Sequence, residues 1–136
     1  MNVGILLITH GNIGAVLLQS ATDVLGVCPL STTTISAAPG CDPEHVLAYA
    51  KQAAQKMDCG NGVLVLTDMY GATPSNIACR LDELHDVRVV SGLNLPMLIR
   101  VLNYPELDLD DLTHKAVTGG RDGVLICNTE GVPNAG

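Results

Sequence analysis

The run Val3-Gly4-Ile5-Leu6-Leu7-Ile8, followed at once by Thr9-His10-Gly11-Asn12, decides how this chain folds. A continuous apolar stretch of strand length marks a strand buried on both faces, as in a parallel sheet covered by helices. The next segment reads as one of those helices. Ile13, Val16, Leu17, Ala21, Val24 and Leu25 recur at helical spacing, and Gly26 stands where a C-cap belongs. Leu30 to Ser36 alternates and is rich in Thr, which suits an edge strand. Asp42-Pro43-Glu44 supplies an N-cap, a preset first turn and an early acid for a helix that buries Val46, Leu47, Ala50, Ala53, Ala54 and Met57. Val63 to Leu66 is the third strand, Thr73 caps a short helix starting at Pro74, and Val87 to Val90 is the fourth strand. Asn94 to Tyr104 and Asp108 to Thr118 read as helices, and Gly123 to Cys127 as a last short strand. Strands and helices in alternation predict an α/β fold with a doubly wound, mainly parallel sheet. Its strand order is 2-1-3-4, and its functional crevice lies at the C-terminal ends of the strands.

Length and composition bound the rest. At roughly 100 to 200 residues per domain, 136 residues predict a single domain, taken as residues 1–130 with 131–136 as a flexible tail. Apolar residues at 47% and charged ones at 15% exclude a disordered or fibrous chain. Fourteen acids against seven basic residues give a net charge of -7, which opposes phosphate backbones, and three tyrosines are the only aromatic residues available to stack bases. Nucleic acid is therefore not an expected partner. No basic leader and no apolar run near the ~20 residues of a membrane span are present, so a soluble, unprocessed protein is expected, without membrane insertion. Cys28, Cys41, Cys59, Cys79 and Cys127 are odd in number and widely spaced. They indicate neither a zinc site nor a disulfide framework, and reduced thiols fit a cytoplasmic location.

Two ionisable residues stand at strand ends: His10 after the first strand and Asp68 after the third. With strand order 2-1-3-4 these strands are neighbours, so imidazole and carboxylate meet in one crevice. The carboxylate would accept a hydrogen bond from the N–H of one ring nitrogen, fixing the tautomer and leaving the other as a lone-pair nucleophile. Beside them Tyr70-Gly71-Ala72-Thr73-Pro74-Ser75-Asn76 runs small residues into a helix N-terminus, where unpaired N–H groups favour an anion without Lys or Arg. His45, His85 and His114 read as solvated surface groups. Glu106, Asp108, Asp110 and Asp111 lack EF-hand spacing and read as capping and solvated acids, so no metal is expected. Arg100 is expected to snorkel along its helix.

Thr9-His10-Gly11, Asp68 to Asn76 and Gly92-Leu93-Asn94-Leu95-Pro96-Met97-Leu98 together resemble the mannose-family IIA component of the bacterial sugar phosphotransferase system, in family order and over the chain to about residue 127. The resemblance implies that His10 accepts a phosphoryl group from the phosphocarrier HPr, that Asp68 orients its ring, and that Gly71, Ala72, Thr73 and Ser75 receive the phosphate. It implies no cofactor, a homodimer that exchanges the last strand, and a separate IIB component as acceptor or a regulatory role in its place. The residues themselves leave one other reading open, a module that binds an anion or nucleotide with no covalent step.

Overall fold

The computed structural model describes residues 2–128. Its four strands are β1 (Gly4–His10), β2 (Thr32–Ala37), β3 (Val63–Thr67) and β4 (Val87–Ser91). The helices are α1 (Ile13–Leu25), α2 (Pro43–Met57), α3 (Thr73–Cys79), α4 (Leu95–Leu102) and α5 (Leu109–Asp122), with a 3-10 turn at Arg80–Glu83. The strands form one parallel sheet in the order β2-β1-β3-β4, as the sequence predicts.

Side chains that alternate along β1 explain the two-sided covering. Ile5 and Leu7 point into one apolar layer with Leu64 and Leu66 of β3, closed by residues of α1, α4 and α5 such as Ala21, Leu98 and Leu112. Leu6 and Ile8 point the other way, with Val63 and Val65, onto Leu47, Ala50 and Ala54 of α2 and Ile77 of α3. Ile5, Leu6, Leu7 and Ile8 are all fully buried. Burial of each such side chain is worth about 1.5–3 kcal/mol, so β1 is the spine of both layers.

Helix ends follow local chemistry. Asp42 accepts from the Glu44 N–H and opens α2, Asn94 accepts from the Met97 N–H and opens α4, and Asp108 accepts from the Asp111 N–H and opens α5. Asn94 also donates to the Gly120 carbonyl, tying α4 to α5. α5 runs four residues beyond the expected Thr118. Gly119 and Gly120 are poor helix formers in isolation, but here they allow α4 to approach. A Cβ on Gly119 would stand 2.6 Å from Arg100 Cβ, and one on Gly120 2.7 Å from Met97 Cε. Arg100 lays its stem over that gap and brings its head 3.4 Å from Asp122.

One expected element is corrected. Residues 123–127 form no strand: Gly123 caps α5, and Val124, Leu125 and Ile126 follow without regular structure, 75%, 56% and 63% exposed. The segment is apolar enough for a strand, but a strand requires a neighbouring edge to hydrogen-bond, and among the described residues it pairs with neither edge strand, β2 nor β4. The expected tail at 131–136 lies outside the described residues. Among the described residues no helix is long and apolar enough to cross a membrane.

Candidate functional site

β1 extends two residues beyond its last pairing with β3, Ile8 opposite Thr67. His10, its final residue, therefore projects over the end of β3, where Asp68 follows Thr67. The two side chains meet: His10 Nδ1 lies 2.8 Å from Asp68 Oδ2. The same oxygen accepts the His10 backbone N–H at 3.2 Å. His10 is 45% exposed and Asp68 only 11%, so the carboxylate is fixed in the rim and the ring faces outward. With Nδ1–H donating to Asp68, the lone pair is left on Nε2. Asp68 Oδ1 is buried and has no hydrogen-bond partner.

Thr9 completes the support of His10 from below, and the sequence reading gave it no role. Its buried hydroxyl donates to the His10 carbonyl at 3.2 Å and accepts the Gly14 N–H at 2.9 Å. Gly14 comes this close because it has no side chain, since a Cβ there would meet Thr9 Oγ1 at 3.2 Å. The signal was available in outline: a hydroxyl adjoining the candidate histidine at the end of a buried strand.

The loop from β3 to α3 lies on the same rim. Gly71 turns the chain at φ +82°, a conformation that costs glycine little and other residues much. Asn76 donates to the Gly71 carbonyl at 3.3 Å and holds the turn. Ala72 is extended at φ -84°, ψ 170°, so its methyl imposes no strain. It occupies the N-cap position expected for Thr73, which becomes the first residue of α3. No side chain caps α3, in contrast to α2, α4 and α5. Ser75 is turned inward and buried, with its hydroxyl 3.0 Å from that of Ser91. Met69 and Tyr70 stand exposed beside this loop, Tyr70 at 83%.

The remaining histidines, His45, His85 and His114, are exposed, as expected of surface groups. The groove of about 570 Å3 between β2 and α2, lined by residues including Thr34, Cys41, Asp42, His45 and Tyr49, contains neither His10 nor Asp68. Among the described residues no cluster of three or more His, Cys, Asp or Glu side chains is arranged to hold a metal ion.

Known proteins share this arrangement of chain. The family described as the PTS system fructose IIA component, EIIA-man, matches residues 4–117. The chain belongs to the EIIA-man family. The PTS system mannose-specific EIIAB component of Escherichia coli K12 is 33% identical over 139 residues, which cover 99% of this chain and 42% of that protein. The chain thus spans less than half the length of this relative. Among solved structures, the mannose/sorbose specific IIA subunit of the phosphotransferase system from Enterococcus faecalis superposes with a TM-score of 0.84 at 25% identity, covering 98% of this chain and all of that one. The phosphotransferase system component EIIA from Streptococcus agalactiae gives 0.77 at 28% identity, covering 91% and 96%. Membership of EIIA-man gives the chain a place in the sugar phosphotransferase system as a IIA component.

Proposed function

We propose that His10 is a transient phosphoryl carrier, charged by phospho-HPr and discharged to a IIB component or held as a regulatory state. The observation that carries this reading is the 2.8 Å contact of His10 Nδ1 with Asp68 Oδ2, which leaves Nε2 as the free nucleophile on an exposed ring.

The step balances without an added proton. Nε2 attacks phosphorus, the N–P bond of the donor phosphohistidine breaks, and the donor imidazole leaves with the electron pair. The positive charge of the donor ring passes to the His10 ring, where the Asp68 carboxylate stabilises it. The oxygens of the transferred group fall to the backbone of Gly71, Ala72, Thr73 and Ser75 and to the Thr73 hydroxyl. The uncapped start of α3 supports a site that holds its anion by N–H groups. Asp68 in this scheme orients the ring and takes no phosphoryl group.

The open rim, with exposed Met69 and Tyr70, suits docking of another protein better than enclosure of a small molecule. Residues 1–130 act as one IIA-type domain in the cytoplasm, without cofactor or metal. The protein is a homodimer, a state supported by the exposed Val124-Leu125-Ile126 run, which pairs with no strand among the described residues.

The test is incubation with phosphoenolpyruvate, enzyme I and HPr. An acid-labile, base-stable mass gain of one phosphoryl group is expected on His10, and His10→Ala should abolish it with the fold intact. No uptake under conditions that charge HPr refutes the carrier role and leaves non-covalent anion binding. A label on His45, His85 or His114 refutes the choice of nucleophile.

A further inference from the structure

Behind the rim lies a chain of three hydroxyls that the scheme above does not use. Thr67 Oγ1, at the end of β3, is 2.8 Å from Ser91 Oγ at the end of β4, and Ser91 Oγ is 3.0 Å from Ser75 Oγ in the first turn of α3. Thr67 and Ser75 are fully buried and Ser91 is half-buried. The Thr67 carbonyl further accepts the Gly92 and Leu93 N–H groups at 3.0 and 2.9 Å, fastening the loop that follows Ser91.

Each member adjoins a part of the rim. Thr67 immediately precedes Asp68, and Ser75 lies two residues beyond Thr73. Ser91 is the middle hydroxyl, so it alone takes part in both contacts, and its removal strands two buried hydroxyls where loss of either end leaves the other two paired. We propose that Ser91 is a positioning residue of the phosphoryl site, acting through Ser75 and Thr67 to set the height of the first turn of α3 against Asp68. The inference rests on the phosphoryl-carrier reading. Its physical basis is that buried hydrogen bonds between elements hold a separation to a few tenths of an ångström, whereas apolar packing at this polar corner would not. A phosphoryl acceptor misplaced by about 1 Å can lose up to 100-fold in rate.

The test is rapid-quench transfer from phospho-HPr to the full chain, with a thermal melt of every variant to show that it is folded at the assay temperature. Ser91→Ala should lower the saturating rate by about tenfold or more while the half-saturating concentration of phospho-HPr stays within about twofold, because the hydroxyls lie behind the docking face. Ser91→Thr, which keeps the hydroxyl, should restore most of the rate. Ser75→Ala is the second variant and breaks a single contact. The double variant Ser75→Ala/Ser91→Ala should be no slower than Ser91→Ala alone, since both act through one chain. A Ser91→Ala protein with the parent's saturating rate, or one whose loss lies wholly in half-saturation, overturns the positioning role. So does a Ser75→Ala protein with unaltered kinetics. If the parent itself takes up no phosphoryl group on His10, the carrier reading fails and the positioning role with it.

Discussion

A single carboxylate oxygen, Asp68 Oδ2, grips His10 at two points, its ring Nδ1 at 2.8 Å and its backbone N–H at 3.2 Å. Ring orientation and strand end are therefore set by one atom, while Oδ1 of the same group is buried without a partner. Buried unpaired acceptors are uncommon in proteins and cost stability, so this carboxylate is poorly served in every respect except its hold on His10.

Asp68→Asn keeps the shape of the side chain and removes its charge. The tautomer preference and the stabilisation of a positively charged ring are both lost. Phosphoryl uptake should slow by about 10^2- to 10^4-fold with little loss of folding. Rapid-quench transfer from phospho-HPr and a thermal melt measure the two effects, and a parent-like rate would remove Asp68 from the mechanism.

A second substitution probes the turn into β3. Gly62 sits at φ +83°, and a Cβ there would lie 2.7 Å from the Asp86 carbonyl oxygen and 2.8 Å from Leu109 Cδ2. Backbone strain and collision with backbone act together. Gly62→Ala should therefore destabilise by more than about 1 kcal/mol, read as a lower urea midpoint at unchanged slope.

Exposed charge makes a smaller contribution with a defined pH window. The Arg80 guanidinium, first by its hydrogen bond and then by its charge, holds the Glu44 carboxyl below its ordinary value of 4.5. A carboxylate lowered in the folded state adds stability above its unfolded value and loses it as pH falls through the lowered one. The pair is fully exposed, so salt should erase the effect. Urea titrations of the parent and Glu44→Gln should differ slightly at pH 6 and converge as pH falls well below 4.5 and in high salt.

Assembly gives the fourth expectation. Light scattering at micromolar concentration should return twice the 14.2 kDa chain mass. Truncation after Gly123, which removes the exposed Val124-Leu125-Ile126 run, should convert the dimer to monomer. A parent that scatters as a monomer would contradict the dimer outright.

Sheet order and the meeting of His10 with Asp68 were legible because both follow from coarse signals. Four apolar runs separated by helical patterns leave few topologies, and right-handed crossovers bring the ends of β1 and β3 together. Roles that depend on side-chain direction were not legible. Ser75 looks like any small residue at a helix start, and only its packing shows the hydroxyl turned inward to Ser91. Thr9 and Thr67 stand at or next to the ends of strands of high β propensity, where Thr needs no special cause. The error at residues 123–127 has a different source. Apolar character shows that a segment can pair, and says nothing about which edge, or which chain's, it would pair with.

The two halves of the His10–Asp68 contact are separated by 58 residues of chain. At about 5–20 residues per second, a ribosome delivers the histidine roughly three to twelve seconds before the aspartate. During that interval His10 is an ordinary imidazole on an unfinished sheet. It gains its partner only when β3 pairs with β1 and brings Asp68 to the end of the sheet. A nascent chain that holds His10 without Asp68 lacks the contact on which the proposed carrier role rests.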